Sequence, residues 1–276
     1  MRTDRPRAVR SAGSAAAGPR SREAGRALLV LIPLLLFLAA CAPARRAPLP
    51  PPLPKGEAEA LAARLADHNR TLVDFKGLGT VTLGGAGGRA ARVAWAGSRP
   101  GRLRIDVLGG GLPAASVAGD GERFFLRQNR SGRVLSRPAV DPGLAPLLGL
   151  PVTVGDVLEA LVGRVPEVPH DAVSAHADAA AGGVVLVLRQ RWVGERARVR
   201  LADDGRSAQE VAVFGVDGGL RYRIAYRGSV AAGAFQVPRR IVIADDARTC
   251  TLEVERFWAD APVDPGAFVL ERPRME

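Results

Sequence analysis

Two cysteines, three histidines and two adjacent aspartate pairs are the side chains best suited to nucleophilic, metal-binding or acid–base chemistry in this 276-residue chain. Cys41 directly follows Leu38-Ala39-Ala40 at the end of an apolar run, a place for thiol modification rather than for a folded active site. Cys250, in Thr249-Cys250-Thr251-Leu252-Glu253-Val254-Glu255, shares a strand face with Leu252 and Val254, which predicts a buried, inert thiol. With Cys41 modified, only Cys250 remains, so no intramolecular disulfide is expected. His68 falls at the end of a helical pattern, and His170 and His176 flank acidic, Ala-rich sequence; all three are expected to be solvated. The pairs Asp203-Asp204 and Asp245-Asp246 have the composition of turns, where aspartate bonds its own backbone. Gly-x-Ser-x-Gly, His-Glu-x-x-His and a metal-spaced cysteine pair are all missing, so the chain is not expected to be an enzyme and no metal or other cofactor is expected.

The segment ahead of Cys41 explains its placement. Arg2, Arg5, Arg7, Arg10, Arg20, Arg22 and Arg26 precede the apolar run Ala27 to Ala40, which contains Pro33 and ends in small residues. The run is shorter than the roughly 20 residues needed to span a bilayer and reads as a secretion signal. Leu38, Ala39 and Ala40 with Cys41 resemble the bacterial lipobox, which implies signal-peptidase recognition of the first three and a covalent lipid on the Cys41 thiol. Each acyl chain contributes about 0.8 kcal/mol per buried methylene to membrane attachment. Ala42, where an aspartate would signal retention in the inner membrane, implies the outer membrane. The expected organisation is a signal over 1–40, a Pro-rich tether over 41–56 and one folded domain over 57–276.

Without residues 1–40 the formal charge falls from +11 to +6, so much of the basicity belongs to the signal. The remaining arginines are scattered and not interleaved with aromatics, which argues against nucleic acid as a partner.

Residues Glu57 to Leu72 carry Leu61, Leu65 and Leu72 at helical spacing. Alternating segments follow: Val73 to Leu83, Ala91 to Ala96, Arg102 to Leu108, Ala115 to Ala118, Arg123 to Gln128 and Arg133 to Arg137. A helical stretch from about Pro142 to Gly163 has Thr153 and Asp156 at capping-box spacing and an apolar face of Val154, Val157, Leu158 and Leu161. Further strands are read over Val184 to Trp192, Ala197 to Leu201, Gln209 to Val216, Leu220 to Arg227, Phe235 to Ile243 and Arg248 to Trp258. The fold class is therefore mainly β with α: a curled antiparallel sheet of about ten or eleven strands, a half-barrel lidded by helices. Its interior is either a filled core or an apolar cavity.

This order, and several local motifs, resemble the LolB/LolA family of lipoprotein receptors and carriers. The motifs are Arg102 to Gly109, a basic strand ending in Leu-Gly; Leu148-Gly149-Leu150-Pro151-Val152 continuing to Gly163 and Pro166; Arg223-Ile224-Ala225-Tyr226 with Pro238; and the strand ending in Phe257-Trp258. The tail from Ala259 to Glu276 extends past the family pattern. The resemblance implies a monomeric outer-membrane lipoprotein facing the periplasm. It implies a cavity for the acyl chains of other lipoproteins, delivery by a periplasmic LolA-like carrier, and cargo insertion into the membrane. It also implies a protruding leucine in the loop Leu108 to Pro113, with Leu108 and Leu112 as candidates and Leu112 favoured by the flanking glycines and Pro113. Leu112 either stands at the loop tip or folds back onto the core. The other functional reading is a structural or assembly lipoprotein of the envelope that has kept the fold without a transfer role.

Overall fold

The computed structural model describes residues 49–84, 87–110, 112–128, 133–138, 144–145, 149–178 and 182–270. The segment read as a secretion signal, Cys41, the first part of the expected tether, Gly111 and Leu148 lie outside the described residues.

Helix α1 (Lys55–Asp67) buries Ala58, Leu61 and Leu65, one stripe at helical spacing. It starts directly behind Pro54 and stops at His68, because Asn69 adopts a positive φ of 50°, a conformation asparagine tolerates better than most residues. The helix is thus shorter than the sequence pattern suggested. Leu72 keeps the apolar spacing and is fully buried, but from the connection that follows.

Thirteen strands form one antiparallel sheet: β1 (Asp74–Leu83), β2 (Arg89–Ser98), β3 (Arg102–Gly109), β4 (Leu112–Asp120), β5 (Arg123–Gln128), β6 (Arg133–Pro138), β7 (Ala172–Ala177), β8 (Val184–Gln190), β9 (Gly194–Leu201), β10 (Ala208–Phe214), β11 (Leu220–Ala232), β12 (Phe235–Ala244) and β13 (Thr249–Ala259). Their order is β6-β5-β4-β3-β2-β1-β13-β12-β11-β10-β9-β8-β7, so two meanders join where β1 pairs with β13. The linear order leaves β6 and β7 as edges; the sheet is large and open rather than closed, with more strands than the ten or eleven expected.

The strand that sequence reading missed is β7. Its Ala-Val-Ser-Ala-His-Ala sequence alternates too weakly to register, and His176, expected in solvent, is buried on it. The ring Nδ1 of His176 lies 2.8 Å from the Pro50 carbonyl and its Nε2 3.0 Å from the Ser174 hydroxyl. Next to it, the Leu53 N–H donates to the Ala175 carbonyl at 2.7 Å and Pro52 bridges to His176. The end of the Pro-rich segment thereby covers an otherwise bare strand edge.

One face of the sheet is apolar and carries the main core, including Phe75 stacked on Phe257 at 5.5 Å and the buried Leu103, Val199, Val211, Tyr222 and Ile224. The opposite face carries ion pairs: Arg223 with Glu210 of the neighbouring strand at 3.0 Å, and, across an intervening strand, Arg200 with Asp178 at 2.7 Å and Arg92 with Glu255 at 2.9 Å. After β13 the chain turns through a short 3-10 helix (Pro265–Phe268), and Leu270 packs with Ala118 and Phe125 in a second small cluster. Arg104 fastens this tail by donating to the Ala267 carbonyl at 3.0 Å.

Candidate functional site

Helix α2 (Val154–Leu161) crosses the apolar face. Its capping box forms as the sequence suggested: the Asp156 N–H donates to the Thr153 hydroxyl at 3.1 Å, and the Thr153 N–H to the Asp156 carboxylate at 2.8 Å. That leaves two otherwise orphaned donors satisfied and sets where the helix begins. Gly163, with a φ of 75°, ends it. Asp156 also accepts from the Tyr222 hydroxyl, whose pKa is raised by burial and then by this carboxylate, so the phenol stays a donor.

The far end of α2 is held by charge. Glu159 bonds Arg99 at 2.8 Å and Arg164 at 2.6 Å, with all three side chains nearly out of solvent. Arg99 also donates to the Leu72 carbonyl at 2.8 Å, and Arg164 to the carbonyls of Ala66 and His68 at 2.7 and 2.9 Å. The Asn69 amide donates to Val162 and Gln236 carbonyls at 2.8 and 2.7 Å. Tyr226, its phenol pKa raised by burial and by the nearby Glu159 and Asp156, donates to the Arg164 carbonyl at 2.6 Å. The arginine bonds are charge-assisted, and together with the Asn69 and Tyr226 bonds they tie α1, α2, the end of β2, β11 and β12 into one unit.

Between α2 and the sheet lies an open apolar pocket of about 130 Å³. Val157, Ala160 and Leu161 of α2 form one wall. Val81 and Leu83 of β1, Val93 and Trp95 of β2, Ile105 and Val107 of β3, Ile241 and Ile243 of β12, and Cys250 and Leu252 of β13 form the rest. Burial raises the Cys250 thiol to about 11, which keeps it protonated and makes it a poor nucleophile. Trp95 is buried, and its ring sits where any side chain at Gly77 would have to go. The indole N–H, buried at the pocket wall, has no hydrogen-bond partner.

Of the four α2 residues singled out from sequence, Val157 and Leu161 line the pocket, while Val154 and Leu158 are buried in the core beneath. Ala160 and the sheet side of the pocket were not singled out. Alternation showed which strand residues face inwards, but not which of them remain uncovered.

The loop residues separate cleanly. Leu108 is half-buried and pairs with Pro113, whereas Leu112 is 73% exposed at the start of β4 and does not fold back onto the core. Among the described residues no group of three or more His, Cys, Asp or Glu converges as a metal site would require, and no helix is long and apolar enough to cross a membrane.

No protein-family profile and no curated protein sequence matches this chain. Solved structures do. A putative outer membrane lipoprotein-sorting protein domain from Vibrio parahaemolyticus superposes with a TM-score of 0.56 at 10% identity, over 78% of this chain and 97% of that one. A DUF1329 family protein from Desulfovibrio piger gives 0.57 at 9% identity over 78% and 97%, and a LolA superfamily protein from Nitrosomonas europaea gives 0.51 at 9% over 77% and 97%. The fold, a large antiparallel sheet with two helices, therefore resembles that of these three proteins. At these identities the likeness is one of architecture.

Proposed function

We propose that this chain is a LolB-like outer-membrane lipoprotein that takes the acyl chains of other lipoproteins into the pocket beneath α2 and passes them to the membrane. The observation that carries this reading is the open pocket itself, walled by Val157, Leu161, Val107 and Ile243 in a fold related to that of lipoprotein carriers. Burying methylenes there is favourable by about 0.8 kcal/mol each, and a bilayer offers a similar environment, so cargo can leave without nucleotide hydrolysis. In this reading residues 1–40 are removed, Cys41 carries the lipid, and residues 41–56 link it to the folded domain, on the periplasmic side of the outer membrane. A shift of α2 away from the sheet would enlarge the space for a chain. A periplasmic LolA-like carrier delivers the cargo, and Leu112 at its exposed tip enters the bilayer during unloading.

The test uses the mature chain made with Cys41→Ser. Native mass spectrometry after incubation with a diacylated lipopeptide should show a one-to-one complex, and Val157→Asp with Leu161→Asp should abolish it. Absence of any lipopeptide complex with the unsubstituted chain would refute the reading, as would lipoprotein localisation that stays normal when the protein is depleted.

A further inference from the structure

The three most exposed large apolar side chains among the described residues are Trp192 at 91%, Val216 at 77% and Leu112 at 73%. They are far apart in sequence, yet the strand pairings bring their turns to one end of the sheet. Starting from the β3–β4 turn, the pairs Arg92 with Leu108, Leu83 with Arg89, Leu83 with Cys250 and Ile243 with Cys250 all lie towards that end. So do Arg223 with Ala244, Phe214 with Leu220, Val213 with Ala197, and Gln190 with Gly194. The tips are not one contiguous patch: at the usual spacing of neighbouring strands, Leu112 and Trp192 are about 38 Å apart along the sheet.

The turn that carries Trp192 is anomalous. Val193 N–H donates to the Gln190 carbonyl at 3.1 Å, closing a four-residue turn with Arg191 and Trp192 at its centre. Trp192 has a φ of 67° at the position where such turns favour glycine or asparagine. A bulky aromatic is disfavoured in that conformation, and a ring this exposed recovers little from packing. Arg191 places its guanidinium 5.0 Å from the indole centroid, so the tip combines an amphipathic ring with a cation. That combination suits the interfacial zone of a bilayer, where tryptophan is enriched.

From these observations we infer that the Trp192 and Val216 turns are membrane-contacting tips that seat this end of the sheet on an anionic bilayer surface. The inference goes beyond the proposed transfer role and does not depend on it. Separate apolar points suit a lipid surface, which needs no shape complementarity, better than a protein partner, which needs a packed central patch. The net charge of +6 from residue 41 onward complements anionic headgroups. The covalent geometry allows it as well. Nine residues from Cys41 to Pro50 reach up to about 30 Å. The run from the level of His176 to the Trp192 turn is about 23 Å. An anchor on Cys41 could therefore lie in the same bilayer that the tips touch.

The test measures binding of the mature chain, carrying Cys41→Ser so that no acyl anchor dominates, to vesicles of phosphatidylethanolamine and phosphatidylglycerol. The unsubstituted chain should partition onto the vesicles, and Trp192→Gly combined with Val216→Ser should weaken partition about tenfold. The variant should melt no lower than the parent, because glycine relieves the backbone at position 192. It should also take up lipopeptide normally in vesicle-free solution. No vesicle binding by the parent, or equal binding by parent and variant, overturns the inference. So does a variant that instead loses concentration-dependent self-association, which would make these turns a contact between copies. Vesicle binding without lipopeptide uptake would refute the transfer reading and leave this one standing.

Discussion

At one end of the sheet Glu159 holds Arg99 and Arg164, Asn69 bridges two carbonyls, and the segment around Pro50 is fastened to His176. At the other end the turns carry Leu112, Val216 and Trp192 into solvent, and the pocket-lining residues of β1, β3, β12 and β13 lie towards those turns. The first end spends buried polar bonds on rigidity. The second leaves apolar surface uncovered. One domain can thus hold α2 firmly by one end while its pocket remains accessible near the other.

The comparison is most easily broken at Glu159. Glu159→Ala leaves two arginine side chains nearly buried without their shared carboxylate, and urea unfolding should show a loss of about 3–5 kcal/mol. Asn69→Ala removes two donors to carbonyls and leaves a less tolerant residue at positive φ; a loss of about 1–3 kcal/mol is expected in the same measurement.

A smaller effect at the same end is pH-dependent. Burial lowers the pKa of His68 below its usual 6.5, Asp204 partly opposes this, and Arg164 adds to it. The folded state therefore prefers the neutral ring. Its contribution to stability is fully present above about pH 6.5 and is lost as pH falls from there through the lowered folded value. His68→Gln should flatten that part of the stability profile, and NMR should show the ring titrating below 6.5 in the parent. At the opposite end, Val216→Ser alone should change stability by no more than about 0.5 kcal/mol. A large loss there would mean that the exposed turns are structural after all.

Much of the sheet could be read directly from alternation. Leu103, Ile105 and Val107 against Arg102, Arg104 and Asp106 announce β3, and the same logic finds every strand except β7. Alanine is small enough to sit on either face, so β7 has little contrast to read. The ends of β8 and β10 were misplaced for the opposite reason. Trp192 and Val216 are strong strand formers that continue the pattern past the last paired residue, and only the turn geometry shows that they have left the sheet. Helix α2 was legible because capping and apolar spacing are local.

The pocket and the clamp were less so. Glu159 meets Arg99 across 60 positions, and nothing local to either residue marks the other as its partner. Val157 and Val154 look alike on the helix, yet one faces open space and the other packed side chains.

The junction of β1 with β13 bears on how the chain reaches this fold. Phe75 lies opposite Ala259 and Leu83 opposite Cys250, so the centre of the sheet is made from its first and last strands. Each meander can zip along its own hairpins, but the seam between them must wait until β13 has emerged. Such a late closure, across the longest sequence separation in the sheet, makes the finished sheet slow to assemble.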